Sequence, residues 1–256
     1  MESLRKPVKR LKEERQRLAP RHVVAIIFVF VFVFVFRSTN AAVARPQQTV
    51  ATANVKDVPE ELKPSQVSLK KSRVYVFVDK TGFGHQHGIE GRLKSGHVTL
   101  GAVESAGEFV FDMTSFDGDS DAARRYVGLE GSTDLSTRRQ VNDNMKGATI
   151  LNVAQYPTST FAIKSATILD KKSRTGAALY EFAGEFTLRG KQRPLKFEAE
   201  VETKDQLLHI RGRFNVLQTE YGITPFRKAF GTIGVADQLT IHGDLWVAPE
   251  KSEPTP

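Results

Sequence analysis

The sequence predicts an all-β domain: one antiparallel sheet curled around a single interior, with a short helical insertion. Three observations predict it. Between about residues 73 and 248, apolar and polar residues alternate with period two in segment after segment. Each segment has one apolar face, and many one-faced strands bury those faces together by wrapping around a common core. The alternation breaks over residues 120–148, where the spacing turns helical.

The first element is a leader. Residues 1–44 hold nine Lys and Arg against three Glu, which accounts for +6 of the chain's +8 and leaves +2 over residues 45–256. Eight basic side chains lie in residues 5–21, followed by VVAIIFVFVFVFVF, Val23 to Phe36. Both faces of this run are apolar, so it is no half-buried surface strand. As a helix it would span about 21 Å, short of a bilayer core of about 30 Å. Fourteen residues suit the apolar region of a signal peptide, and Ala42-Val43-Ala44 supplies an A-x-A cleavage pattern. Residues 1–44 read as a cleaved secretory signal or as an uncleaved signal anchor. In either case the basic N-terminus stays inside and the rest is exported. If uncleaved, residues 23–36 associate the chain with a membrane. Because the basic charge sits in the leader and not on the folded domain, nucleic acid is not an expected partner. The absence of cysteine excludes disulfides and Cys-based zinc or redox sites.

Residues 45–72 hold three prolines and no aromatics, and read as a flexible tether. The domain follows over 73–248, and residues 249–256 read as a frayed tail.

The domain opens on GFGHQHGIEGRLKSGHVTL, residues 82–100, with three of the six histidines. Ser95-Gly96 carries a turn signal between two alternating runs. A two-residue turn there pairs Leu93 with Val98, Gly91 with Leu100 and Ile89 with Ala102. By parity His85 and His87 face inward if the strand runs unbroken that far, and His97 faces outward. A zinc site needs three or four converging ligands, and His85 and His87 offer two with no third marked, so no metal is expected. The two imidazoles suit hydrogen bonding near a barrel rim or contact with a ligand's polar head. Gly82-Phe83-Gly84 reads as a bend. The sequence has no nucleophile elbow, HExxH or phosphate loop, so no catalytic residues or cofactor are expected.

Next come GEFVFDMTSF and a cluster of aspartates, Asp112, Asp117, Asp119 and Asp121. These lack the Gly and terminal Glu of an EF-hand loop, and Asp119 and Asp121 suit a helix N-terminus. Two helices are expected over 120–129 and 135–148, with Val141 and Met145 one turn apart on one face. Between two strands they form a crossover or cap over one barrel end. STFAIKSATI, YEFAGEFTL, PLKFEAEVE, LHIRGRFNV and LTIHGDLWV complete the strands. In YEFAGEFTL, for example, Tyr180, Phe182, Phe186 and Leu188 share one face against Glu181 and Glu185. On the last strand Trp246 and His242 fall on the outer, exposed face.

Taken in order, several stretches resemble the YceI-like family, lipocalin-like polyisoprenoid-binding proteins of bacterial envelopes. They are HGIEGRLKSGHVTL, GEFVFDMTSFDGDS, VNDNMKGATILNVAQYPTSTFAIKSA, YEFAGEFTLRGKQRPLKFEAEVE, FNVLQTEYGI and VADQLTIHGDLWV. The resemblance covers 73–248. It implies an eight-stranded antiparallel lipocalin-like β-barrel with a long apolar cavity, helices at one end, and non-catalytic binding of an isoprenoid or other lipid. It further implies a location in the bacterial periplasm or envelope, free or anchored at the inner membrane. An eight-stranded barrel is wide enough for one such ligand. Each buried methylene is worth about 0.8 kcal/mol, so a ten-carbon stretch offsets the entropic cost of binding. The candidate lining is Phe109, Phe111, Phe161, Phe182, Phe186, Phe197 and Phe214, about half of them expected to reach a cavity, with His85 and His87 at the rim. Inward glycines at 91, 184, 212 and 243 create room or permit bending. The alternative is an envelope structural or interaction domain of the same fold, with a filled core and a partner docked on its outer face.

Overall fold

The computed structural model describes residues 60–250. The leader over 1–44 and most of the expected tether and tail lie outside the described residues. Eight long strands carry the fold: β1 (Arg73–Gly82), β2 (His87–Val98), β3 (Gly107–Gly118), β4 (Thr158–Lys172), β5 (Ala178–Leu188), β6 (Lys191–Lys204), β7 (Leu207–Leu217) and β9 (Ile233–Val247). A two-residue strand, β8 (Arg227–Lys228), is added to the start of β9. Each long strand pairs antiparallel with its neighbours, and β1 pairs with β9 from Arg73↔Asp244 to Gly82↔Ile233. That pairing closes the eight long strands into an antiparallel barrel.

Period-two patterning dictates which side chains turn inward. Val74 and Val76, Ile89 and Leu93, Phe161 and Ile163, Phe182 and Phe186, Leu245 and Val247 are buried along their strands. The β5–β6 hairpin turns on Arg189-Gly190, both at positive φ (50° and 71°), as a tight two-residue hairpin requires. Arg189 is held there by donating to the carbonyls of Gly222 and Ala148 at 2.5 and 2.9 Å.

One end of the barrel is closed. Val67, Val98, Ala166 and Val247 pack there with almost no exposure. This corrects the expected extent of the tether. Residues 60–72 fold onto the barrel: Val67 bridges Val247, Gln66 bridges His97, and Ser68 and Ser72 are buried. Leu69 N–H donates to Glu60 and Ser65 Oγ donates to Glu250, so the first residues of the expected tail are tied down as well. A single apolar residue, Val67, supplies the plug, and one residue has no periodicity to read.

The expected turn at Ser95-Gly96 is also corrected. β2 runs through it to Val98, and the chain reverses over Thr99–Ala106. Leu93 pairs with Phe111 and Val98 with Gly107, in place of each other, while Ile89 pairs with Gly118 and Val76. Between Leu93 and Ser95 the register slips by one residue, leaving Lys94 as a β-bulge. Gly96 serves close packing and not a turn: a Cβ there would come within 2.9 Å of Val67 and 3.1 Å of the Phe109 ring. His97 remains exposed, and His87 remains on the inner wall.

Between β3 and β4 stand the two helices, α1 (Asp121–Tyr126) and α2 (Leu135–Lys146). Asp134 caps α2, accepting from the Ser136 and Thr137 N–H groups at 2.9 and 3.0 Å. Ser120, not Asp119, caps α1, accepting from Ala123 N–H at 3.0 Å. α2 is strapped to the barrel: Asn142 exchanges hydrogen bonds with Asp117 and the Gly118 N–H, each at 2.8 Å, and Arg138 pairs with Asp117. Among the described residues no helix is long and apolar enough to cross a membrane.

Candidate functional site: an apolar cavity in the barrel

The barrel is not filled. A cavity of about 390 Å³ runs along its axis, within the range of small-molecule pockets, about 300–1,000 Å³. All seven expected phenylalanines line it: Phe109, Phe111, Phe161, Phe182, Phe186, Phe197 and Phe214. Six of them, all but Phe109, form a chain of rings around the wall. Phe182 stacks on Phe197 at 5.4 Å, Phe197 lies 4.8 Å from Phe214, and Phe214 and Phe111 each meet Phe186 edge-on at 6.3 and 6.4 Å. Phe197 and Phe214 span a parting in the wall, because β6 and β7 pair only between Ala199↔Gly212 and Lys204↔Leu207.

Glycine makes the room. Gly212 and Gly243 face each other on β7 and β9, and both line the cavity. The Phe197 ring leans over Gly212, where a Cβ would come within 2.8 Å of it. At Gly243 a Cβ would meet only Leu245, at 3.8 Å, so the space beside it is open. Gly184 is different: it backs onto the Ala162 carbonyl and lies away from this cavity.

α2 supplies a wall that the candidate residues omit. Thr137, Gln140, Val141, Asn144 and Met145 line the cavity, followed by Ile150 and Leu151. The one-turn spacing of Val141 and Met145 is the sequence signal for it. Thr137, Gln140 and Asn144 are exposed and also line the cavity, so the opening lies beside α2. Across from them the opening is bounded by Gly84, His85, Phe226, Lys228, Ile233 and Gly234.

His85 and His87 both reach the cavity, and their surroundings differ. His85 is exposed at the mouth. His87 Nδ1 lies 2.7 Å from Asp119, whose carboxylate also accepts from the Gly88 N–H at 3.1 Å and pairs with Arg124 at 3.4 Å. Asp119 sits at φ 57° in the turn from β3 into α1, with its side chain almost wholly buried. Burial pushes the Asp119 carboxyl up. The His87 hydrogen bond and charge, the Gly88 N–H and Arg124 outweigh it and hold the carboxyl below its ordinary value. Gly88 lets α1 come close, since a Cβ there would sit 2.9 Å from the Ala123 backbone.

On the outer wall Trp246 and His242 are half-covered, which corrects their expected exposure. Trp246 stacks on His209 at 4.1 Å beneath Lys71 and Lys204. Tyr126 at the end of α1 stacks on Tyr75 at 3.7 Å and meets His242 edge-on at 5.9 Å. Burial, then the neighbouring Asp244, pushes the Tyr126 phenol up to about 12.

Compared with known proteins, residues 65–246 match the model of the YceI-like domain. No curated protein matches the chain. Similar solved structures include BcnA of Burkholderia cenocepacia, at 18% identity and a TM-score of 0.47, covering 70% of this chain and 98% of BcnA. A polyisoprenoid binding domain from Saccharophagus degradans is 12% identical with a TM-score of 0.49, covering 73% and 99%. The YCEI protein of Campylobacter jejuni is 8% identical with a TM-score of 0.39, covering 81% and 98%.

Proposed function

This chain belongs to the YceI-like domain family, and from that premise we propose that it binds one long apolar amphiphile, an isoprenoid or another lipid, without catalysis. The observation that carries this is the open cavity walled by seven phenylalanines and capped by α2. A barrel whose own side chains sufficed would have filled that space, because protein interiors pack to crystal density. The tail of the ligand lies among the rings, where each buried methylene contributes about 0.8 kcal/mol. Its polar end lies at the mouth beside His85, Gln140, Asn144 and Lys228. His87 positions the rim through Asp119. The basic and apolar leader supports export to the bacterial periplasm or envelope, as a released protein or one held at the inner membrane.

The hydroxyl of Ser159, on the cavity wall, donates to the Thr187 carbonyl at 2.6 Å, a structural bond within the wall. The test is native mass spectrometry of the gently purified chain, with lipid extraction of the same sample. The expected result is one apolar amphiphile per chain. A chain that carries none, and takes up none when offered extracted envelope lipids, overturns the reading and favours a structural or docking role.

A further inference from the structure

The cavity mouth carries an apolar, basic tip. Phe83 and Phe230 are the two most exposed large hydrophobic side chains among the described residues, at 83% exposure and fully exposed. They come from different connections, β1–β2 and β8–β9. Phe83 N–H donates to the Thr232 carbonyl at 2.9 Å, which ties the two loops together. Gly84, next to Phe83, and Ile233, three positions after Phe230, line the cavity opening. Neither Phe83 nor Phe230 lines the cavity.

Phe230 is held out at a cost. Ala229 and Phe230 both adopt left-handed backbone, φ 50° and 54°, which disfavours a bulky non-glycine residue. Thr232 fixes the turn, its N–H and hydroxyl both donating to the Ala229 carbonyl at 3.1 and 2.8 Å. A strained turn that projects a phenyl ring into water points to a surface the ring enters.

Cations surround the pair. Lys80 lies on β1 and Arg227 and Lys228 on β8, two strands that flank the start of β9 through the pairings Lys80↔Val235, Arg227↔Gly234 and Lys228↔Ile233. All three are exposed; Arg227 and Lys228 make no side-chain hydrogen bond or ion pair among the described residues, while the charge of Lys80 acts on the neighbouring Asp79 carboxylate. The nearby Asp79 carboxylate accepts from the Gln86 amide at 2.9 Å and from its neighbour's N–H.

We propose that this tip docks the cavity mouth onto an anionic lipid bilayer, with Phe83 and Phe230 entering the interface and Lys80, Arg227 and Lys228 contacting phosphate headgroups. Apolar residues rimmed by exposed cations match a surface that is hydrocarbon below and anionic above. Docking there sets the opening against the lipid source, so an amphiphile passes between bilayer and cavity without crossing water. This inference rests on the amphiphile-binding reading of the cavity.

The test uses the full chain with Phe83→Trp or Phe230→Trp. Trp246, the chain's one native tryptophan, sits on β9 near the closed end and serves as the internal control. With phosphatidylglycerol-containing vesicles, emission from either introduced tryptophan is expected to shift to the blue and to be quenched by brominated lipid. Trp246 is expected to do neither. Lys80→Gln with Arg227→Gln is expected to weaken insertion about fivefold per cation removed. Rim tryptophans that stay in water while vesicles bind the chain overturn the proposal, because another segment then does the docking. A blue shift that rises with protein concentration in the absence of vesicles also overturns it, in favour of self-association.

Cavity loading is measured separately, with a fluorescent fatty acid below its critical micelle concentration and no vesicles. Phe83→Ser with Phe230→Ser is expected to leave that loading unchanged and to slow uptake from vesicles. Loading without rim insertion overturns the docking alone. Insertion without loading overturns the carrier reading on which it rests.

Discussion

His87 Nδ1 lies 2.7 Å from a carboxylate oxygen of Asp119, 32 positions further along the chain. The pair ties the first residue of β2 to the turn that launches α1, and Arg124 closes the group from within α1. Asp119→Asn keeps the shape and removes the charge. A hydrogen bond to a buried charged group is worth about 1.5–3 kcal/mol, and urea denaturation at pH 7 is expected to show a loss of that order. The Asp119 pKa is lowered on folding, so its contribution is complete above its unfolded pKa of about 3.9 and is lost as pH falls through the lower folded value. The difference between the parent and Asp119→Asn is therefore expected to shrink below about pH 4.

Tyr126 anchors α1 to the outer wall through Tyr75 and His242. Its phenol is pushed up to about 12, by burial first and then by Asp244. A raised pKa means that its contribution is complete below about pH 10, the unfolded value, and is lost as pH rises toward 12. Absorbance titration of the tyrosinates is expected to show a late-titrating group that Tyr126→Phe removes. Titration of that group near pH 10 in the folded chain would contradict the packing described.

Val67 plugs the closed end from a segment whose composition resembles a linker. Val67→Ala deletes two buried methyl groups and is expected to cost roughly 1–3 kcal/mol by denaturant unfolding. A neutral outcome would mean that residues 60–72 are a tether after all.

Phe182 is completely buried and stacks on Phe197. Phe182→Ala is expected to cost about 3–5 kcal/mol. The enlarged cavity is expected to accept a bulkier amphiphile than the parent, checked by competition between ligands of increasing girth.

Strand alternation made most of this fold legible. YEFAGEFTL and LHIRGRFNV each have one apolar face, and those faces became the inner wall. The same parity placed the seven phenylalanines and His87 on the inner wall, whereas His85 lies in the loop before β2 and reaches the cavity mouth from there. The expectation that about half of the phenylalanines reach the cavity was too low, because the void follows the barrel axis and touches all seven of those rings. Ser95-Gly96 misled because a glycine crowded by distant side chains, here Val67 and Phe109, looks in sequence like a turn glycine. The His87–Asp119 pair was hidden for a different reason. It depends on a left-handed residue at Asp119 and on a contact across 32 positions, and neither leaves a local pattern. The mouth was hidden too, since an exposed phenylalanine in a loop has no period.

Gly243 offers the most direct test that the cavity is the binding site. It lines the cavity, its backbone does not require glycine, and a side chain there enters open space. Gly243→Leu is therefore expected to fill the cavity while keeping the fold, with an unfolding midpoint equal to or above that of the parent. The measurement is a titration of the parent and Gly243→Leu with one fluorescent long-chain fatty acid, in the absence of vesicles. Saturable one-to-one binding by the parent, weakened at least tenfold in a folded Gly243→Leu, is the predicted result. Equal affinity in the two proteins would place the ligand elsewhere and contradict the account.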